Sequence, residues 1–366
     1  MFTNISIKAK LLLLAIITIV FVSFSIAITS IYSINKVSQE NVERYKKESY
    51  EKKEKELQNY ISLAMKTVEA YHKRTEIGKI KVEVQDDLKT HTNFLFSILE
   101  AEYEKLKDVL SEDALKFRLK TLVEESRYGK NGYFWINDTD AVIVMHPIKP
   151  QLNGKDLINY KDKGGKQIFK EFASVAKSKG EGFVDYVWPK PNFEKPQAKV
   201  SFVKLFKPYN WVIGTGEYVS DVSSKIKKEA LLTISKMRYG KYVYFWINDS
   251  HPKMVMHSVK PSLDGKDLSK IQDKAGKYLF KEFSVIANKE AKGGLVTYLW
   301  PKPGFDKPVQ KFSYVQRFAQ WDWIIGTGVY VDDIEADISL MGKHTSEEID
   351  TIIMNIILFS LIAVIL

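Results

Sequence analysis

The sequence predicts an α+β protein: long amino-terminal helices, then two tandem modules, each an antiparallel sheet of about five strands, flanked by transmembrane helices. Three observations carry this. Arg127 to Phe172 aligns with Arg238 to Phe283 at a constant offset of 111, with 28 of 46 positions identical. Within each copy the apolar spacing switches between a period of two and steps of three and four, the marks of strand and helix. Leu11 to Ile34 forms 24 positions without a charge.

That run spans about 36 Å as a helix, enough to cross a hydrocarbon core of about 30 Å. Lys8 and Lys10 put its start in the cytoplasm. Cleavage after Ser25-Ile26-Ala27 is the alternative, and would leave a secreted binding protein. Thr351 to Leu366 is a second apolar run, expected to be a transmembrane helix cut short, after which the natural chain would continue into the cytoplasm. The expected order is a cytoplasmic N-terminus (1–10), transmembrane helix 1 (11–34) and a periplasmic helical region (36–126). A first module (127–221), a connecting helix (222–237) and a second module (238–333) follow. A juxtamembrane helix (334–350) and the start of transmembrane helix 2 (351–366) end the chain.

The formal charge of +10 does not point to nucleic acid. It is spread through mixed runs such as Lys46 to Glu56, which read as solvated helix faces. The absence of cysteine excludes a disulfide framework and a thiolate metal site. No Ser/His/Asp motif, HExxH or Walker loop is present, so no enzyme and no cofactor is expected. The six histidines lack metal-ligand spacing.

In the first copy, Tyr133 to Asn137 and Ala141 to His146 read as a hairpin. Ile168, Phe169, Phe172, Val175 and Ala176 mark one face of a helix that stops at Gly180 and covers one side of the sheet. Gly182 to Trp188, Ala198 to Phe206 and Trp211 to Val219 read as three more strands. The prolines from Pro189 to Pro196 confine that stretch to a connection. After one inserted residue the repeat resumes at an offset of 112, so Tyr186-Val187-Trp188-Pro189-Lys190-Pro191 matches Tyr298-Leu299-Trp300-Pro301-Lys302-Pro303. Upstream, Leu57, Ile61, Ala64, Val68 and Tyr71 form an apolar seam, continued on a second helix by Leu88, Leu95, Leu99, Leu106 and Leu110. Such a seam packs on a sheet or pairs two chains into a homodimer.

Arg127 to Asp221 and Arg238 to Asp333 resemble Cache sensor modules of the small, tandemly repeated kind. The resemblance rests on Gly132-Tyr133-Phe134, Met145-His146-Pro147, the Tyr186 to Pro191 motif, and Trp211 to Val219 with Asp221. It covers about four fifths of the chain, and implies a PAS-like fold outside the inner membrane of a bacterium. It also implies an input role in a chemoreceptor, a sensor histidine kinase or a nucleotide cyclase, with small organic acids as ligands and cytoplasmic signalling proteins as partners. The second copy departs at Val243, where the first has Gly132, and at Ser258, where the first has Pro147.

Strand alternation supplies the candidate ligand-binding residues. Tyr133 and Trp135 share one face of their strand, Val144 and His146 one face of theirs, and so do Tyr186 with Trp188 and Lys199 with Ser201 on their own strands. Lys199 is the expected anchor of a small carboxylate, since a lone inward lysine is costly to bury unless paired. His146 and Lys199 could instead satisfy loop carbonyls or local carboxylates, and the tryptophans could simply be core. Arg127, just before the first strand, is a further candidate, with helix capping as its alternative. The second copy repeats these members as Tyr244, Trp246, His257, Tyr298, Trp300 and Lys311. The first is chosen because, in modules of this kind, the membrane-distal copy usually holds the ligand.

Overall fold

A computed structural model describes residues 6–129, 131–190 and 193–365. Pro191 of the proline-lysine motif, residues 1–5 of the expected cytoplasmic N-terminus, and Leu366 lie outside the described residues. The chain divides into two compact units, one of Thr67–Thr233 and the other of Met1–Lys66 with Ile234–Leu366.

The chain opens with one continuous helix, α1 (Ile7–Arg74), about 100 Å long at the α-helical rise. Its apolar start is the one helix among the described residues long and apolar enough to cross a membrane. α2 (Ile77–Leu106) and α3 (Glu112–Glu125) follow. Ser111 caps α3, its hydroxyl accepting from the Ala114 amide. The Leu57, Ile61, Ala64 and Val68 seam is fully buried within the single chain. It is therefore not a free face for a second copy, and the expectation that it pairs two chains is corrected. The α2 stripe is buried at Leu88, Leu95 and Leu99, but Leu110 falls beyond the helix and is exposed.

The first sheet holds β1 (Arg127–Tyr128), β2 (Gly132–Asp138), β3 (Ile143–Met145), β4 (Glu181–Trp188), β5 (Gln197–Phe206) and β6 (Trp211–Tyr218). The order is β1-β2-β6-β5-β4, with β3 pairing β2 and every neighbour antiparallel. The two-residue β1 adds a strand to the five expected. α4 (Ile168–Lys179) ends at Gly180, whose φ of 76° suits a residue without a side chain.

Helices cover both faces, not one. On the inner face α4 sets Phe169, Phe172 and Ala176 against Tyr133, Trp135, Tyr186 and Trp188. On the outer face α2 and α3 bring Leu95, Leu99, Leu115 and Leu119 against Phe134, Ile136, Phe206 and Ile213. Also on this unit's α2 side, Ile80, Val84 and Leu88 pack with Val200, Phe202 and Ile226, the last from α5 (Val219–Lys236).

The second sheet repeats the plan with β7 (Arg238–Tyr239), β8 (Val243–Asp249), β9 (Met254–His257), β10 (Gly294–Pro301), β11 (Pro308–Phe318) and β12 (Trp323–Tyr330). Its order is β10-β11-β12-β8-β7, with β9 on β8. α6 (Leu279–Lys289) covers its inner face. α1 packs on this sheet's unit: Tyr60 stacks on Tyr239 at 3.8 Å, and Tyr50 meets Phe312 edge-on. In the first unit His91 of α2 stacks in the same way on Tyr128, the counterpart of Tyr239. Gly132 lies close beneath its tyrosine: a Cβ there would come 2.5 Å from the Tyr128 ring. The second copy holds Val243 at the matching position. α7 (Val331–Ile365) closes the described chain.

Candidate functional site

The inner face of the first sheet gathers six of the seven expected residues. Tyr133 and Trp135 project from β2, Tyr186 and Trp188 from β4, and Lys199 from β5, all buried. β4 and β5 pair Tyr186 with Lys199, and β5 and β6 pair Lys199 with Tyr218. The register thus places the lysine between two tyrosines. Trp135 can lie flat across β6 because its neighbour there is Gly214, where any Cβ would come within 2.3 Å of the indole. Gly216, two residues on in Gly214-Thr215-Gly216, is as tightly packed, against Ser201.

Lys199 and Ser201 share the inner face with Tyr186, whose hydroxyl bonds the Ser201 Oγ at 3.0 Å. One expectation about faces changes. Val144 does not share a face with His146. A register shift between Ile136 and Asn137 interrupts the β2–β3 pairing, and Val144 packs in the outer cluster beside Met145. His146, just past the strand, turns inward against Tyr133 and stacks on Trp188 at 5.9 Å.

Arg127 stands apart. It is exposed, and its Nη1 donates to the carbonyls of Glu124 and of Ser126 (2.8 Å) at the end of α3. Orphan carbonyls at a helix end attract such a donor, so Arg127 takes up the capping contacts that were its alternative and does not line the hollow.

The Lys199 ammonium, 1% exposed, donates to the Tyr133 hydroxyl at 2.9 Å. It also lies 4.3 Å from the centre of the Tyr133 ring and 5.0 Å from that of Tyr218. Burial lowers its pKa to about 8, with Tyr218 and Glu217 acting the other way. His146 is lowered to about 3, by burial first, then by Lys199 and Lys149. Its ring does not satisfy loop carbonyls: Nδ1 accepts from the amides of Ile148 (3.3 Å) and Lys149 (3.1 Å). That bonding assigns the proton of the neutral imidazole to Nε2. Burial pushes Tyr133 up to about 12, so its phenol stays protonated. At neutral pH the hollow therefore presents an imidazole N–H and a phenol, with the Lys199 ammonium bonded behind that phenol.

Sequence reasoning missed Tyr218 and Asp162. Tyr218 donates to the Pro189 carbonyl at 2.9 Å and closes one side of the lysine. Asp162 accepts from the Gly164, Lys166 and Val187 amides and latches its loop to β4 beside Trp188. Both recur in the second copy as Tyr330 and Asp273, the signal that could have found them.

The hollow is about 10 Å³, lined by Tyr133, Trp135, His146, Phe169, Phe172 and Trp188 among others. A roomier one of about 320 Å³ lies on the α2 side of the same unit. Its Glu83, Asp87, Glu217 and Asp221 outnumber His91 and Lys225, which suits an anion poorly.

The methyl-accepting chemotaxis protein McpP of Pseudomonas putida is 48% identical over 120 residues, 33% of this chain and 22% of its own. The sensor histidine kinase MctS of Rhizobium johnstonii is 31% identical over 131 residues, 36% of this chain and 28% of its own. These matches span less than a third of the length of either curated relative. A solved structure titled for carboxylic acid recognition by a Cache chemosensory domain is 34% identical, with a TM-score of 0.34, covering 37% of this chain and 91% of that one. The Cache-domain family model dCache_2 matches residues 34–338, more than four fifths of the chain, and the protein belongs to that family of sensor domains.

Proposed function

We propose that this chain is the sensory part of a bacterial chemoreceptor that binds a small carboxylate in its first module. Residues 11–34 anchor it in the inner membrane, and residues 36–350 lie in the periplasm. It works as a homodimer, through contacts other than the buried Leu57 to Val68 seam, and signals to cytoplasmic chemotaxis proteins. The observation that carries this reading is the buried Lys199 ammonium, bonded to the phenol of Tyr133, which with His146 lines the aromatic hollow. Charge-assisted hydrogen bonds contribute about 1.5–3 kcal/mol each, and a carboxylate accepts several at once. The aromatic wall limits the ligand's tail. The hollow has room for about one water-sized group, less than a C2–C4 acid, so the acid's entry displaces α4 or the loop after β3, a movement available for signalling. MctS favours a second reading, a kinase sensor; the higher identity to McpP favours the chemoreceptor.

The test is a thermal-shift screen of the chain in detergent against C2–C4 acids, amino acids, amines and purines. A ligand at a hundred times its dissociation constant adds about 2.7 kcal/mol. Acids are expected to raise the melting temperature, and Lys199→Met to remove the first module's share of the rise. A shift by amines or purines without acids overturns the reading.

A further inference from the structure

The second module repeats the inner face nearly side chain for side chain, but its lysine is bonded differently. Lys311, 0% exposed, has an ammonium with no hydrogen-bond partner. Only ring faces support it, with the centres of Tyr244, Trp246 and Tyr330 at 3.9, 5.0 and 5.2 Å. The nearby hydroxyls are committed: Tyr330 donates to the Pro301 carbonyl at 2.9 Å, and Tyr298 pairs with the Ser313 Oγ at 3.1 Å. The carboxylate that acts on Lys199, Glu217, is replaced by Val329 at the matching position. A buried ammonium without an acceptor is costly, and the cost is recovered by whatever brings one.

We propose that the second module carries its own anion site, in which a small carboxylate accepts from the Lys311 ammonium. His257 supplies a further donor. Its ring stands 5.1 Å from that of Tyr244, and its Nδ1 accepts from the Val259 (3.2 Å) and Lys260 (2.9 Å) amides, leaving the proton on Nε2. Phe280, Phe283 and Trp300 wall the place as Phe169, Phe172 and Trp188 wall the first. The class follows from sign and valence. What Lys311 lacks is an acceptor, preferably anionic, and an amine or metal cation supplies none. The receptor then reads two anions, one per module, and this site stands independently of the first.

Isothermal titration of the chain in detergent micelles with sodium acetate and sodium propionate tests it. Two anions per chain are expected for the native protein, and one each for Lys199→Met and Lys311→Met. His257→Phe keeps the lysine and guards against misfolding of the methionine variant; it should weaken the second binding event at least tenfold and leave the first unchanged. One anion per chain, lost in Lys199→Met and kept in both Lys311→Met and His257→Phe, overturns the second site and leaves the first-module reading standing. One anion lost only in Lys311→Met does the reverse. Failure of either acid to bind any form overturns both.

Discussion

The two modules carry the same inward side chains and bond them differently. In the first, Lys199 donates to Tyr133 and the Trp135 indole N–H donates to the Asn137 Oδ1 at 3.1 Å. In the second, the Lys311 ammonium, the Trp246 indole N–H and the Asn248 Oδ1 all lack partners. The apolar frame is conserved between them: Trp135 meets Phe172 at 5.3 Å, and Trp246 meets Phe283 at the same distance. Apolar packing tolerates small shifts because dispersion is non-directional, whereas a hydrogen bond weakens steeply with distance and angle. Duplicated sequence therefore preserves a core more faithfully than it preserves a polar network.

The largest effect tests the shared frame. Phe172→Ala and Phe283→Ala each remove a buried ring from the helix that covers an inner face. Each should destabilise its own module by about 3–5 kcal/mol, and calorimetry of the chain should show the two losses to be alike. A loss below about 1 kcal/mol in one module alone would break the equivalence on which the comparison rests.

A smaller effect, up to tenfold in affinity per pH unit or about 1.4 kcal/mol, separates the polar networks. With a pKa lowered to about 8, Lys199 is an ammonium below that pH, and carboxylate affinity at the first module should be flat there. Above it, binding must take up a proton, and affinity should fall. His146, at about 3, and Tyr133, at about 12, do not titrate in this window. Stability follows the opposite sign: an ordinary unfolded lysine holds its proton to about pH 10.4, so between about 8 and 10.4 the unfolded chain binds more protons and the folded chain gains stability as pH rises. Lys311 lies well below the ordinary lysine value through burial, then through Lys260. Titrations in Lys311→Met and Lys199→Met from pH 6 to 9 should therefore show the affinity of each remaining module falling at a pH below the ordinary lysine range. A profile flat to pH 9 in either would mean that its lysine does not carry the anion.

Much of this was legible in the residues. The 111-residue repeat points to two modules, and the strands between Tyr133 and Tyr218 fall within one residue of the expected limits, except β3, which begins two residues late. That exception is informative. The β2–β3 register shift moves Val144 to the outer face, and alternation alone cannot reveal a bulge. The cover of the outer face was hidden as well, because apolar seams on α1 and α2 state that a helix is buried without naming the sheet it meets. The gathering of Tyr133, Tyr186, Trp188 and Lys199 could be read from inward alternation. Whether Lys199 would find an acceptor could not, since Lys311 carries the same neighbours in sequence and finds none.

The smallest expected effect concerns the residue that alternation could not place. Arg127 and Arg238 are aligned, exposed, and precede matching strands. Arg127 donates to the carbonyls of Glu124 and Ser126; Arg238 donates to those of Ser235 (2.6 Å) and Met237 (2.8 Å), with Ser258 more distant at 3.4 Å. A cation at a helix carboxyl end contributes about 0.3–1 kcal/mol when exposed, and salt screens it. Arg127→Ala should therefore lower stability by less than about 1 kcal/mol, and the loss should shrink at high salt. Arg238→Ala should cost slightly more, because a third acceptor lies within its reach. Neither change should move the affinity for acetate or propionate by more than about twofold, since capping touches the helix end and not the hollow. A tenfold loss of carboxylate affinity in Arg127→Ala, with the melting temperature unchanged, would return this arginine to the ligand and mean that the loop at its side folds over the hollow when the anion is bound.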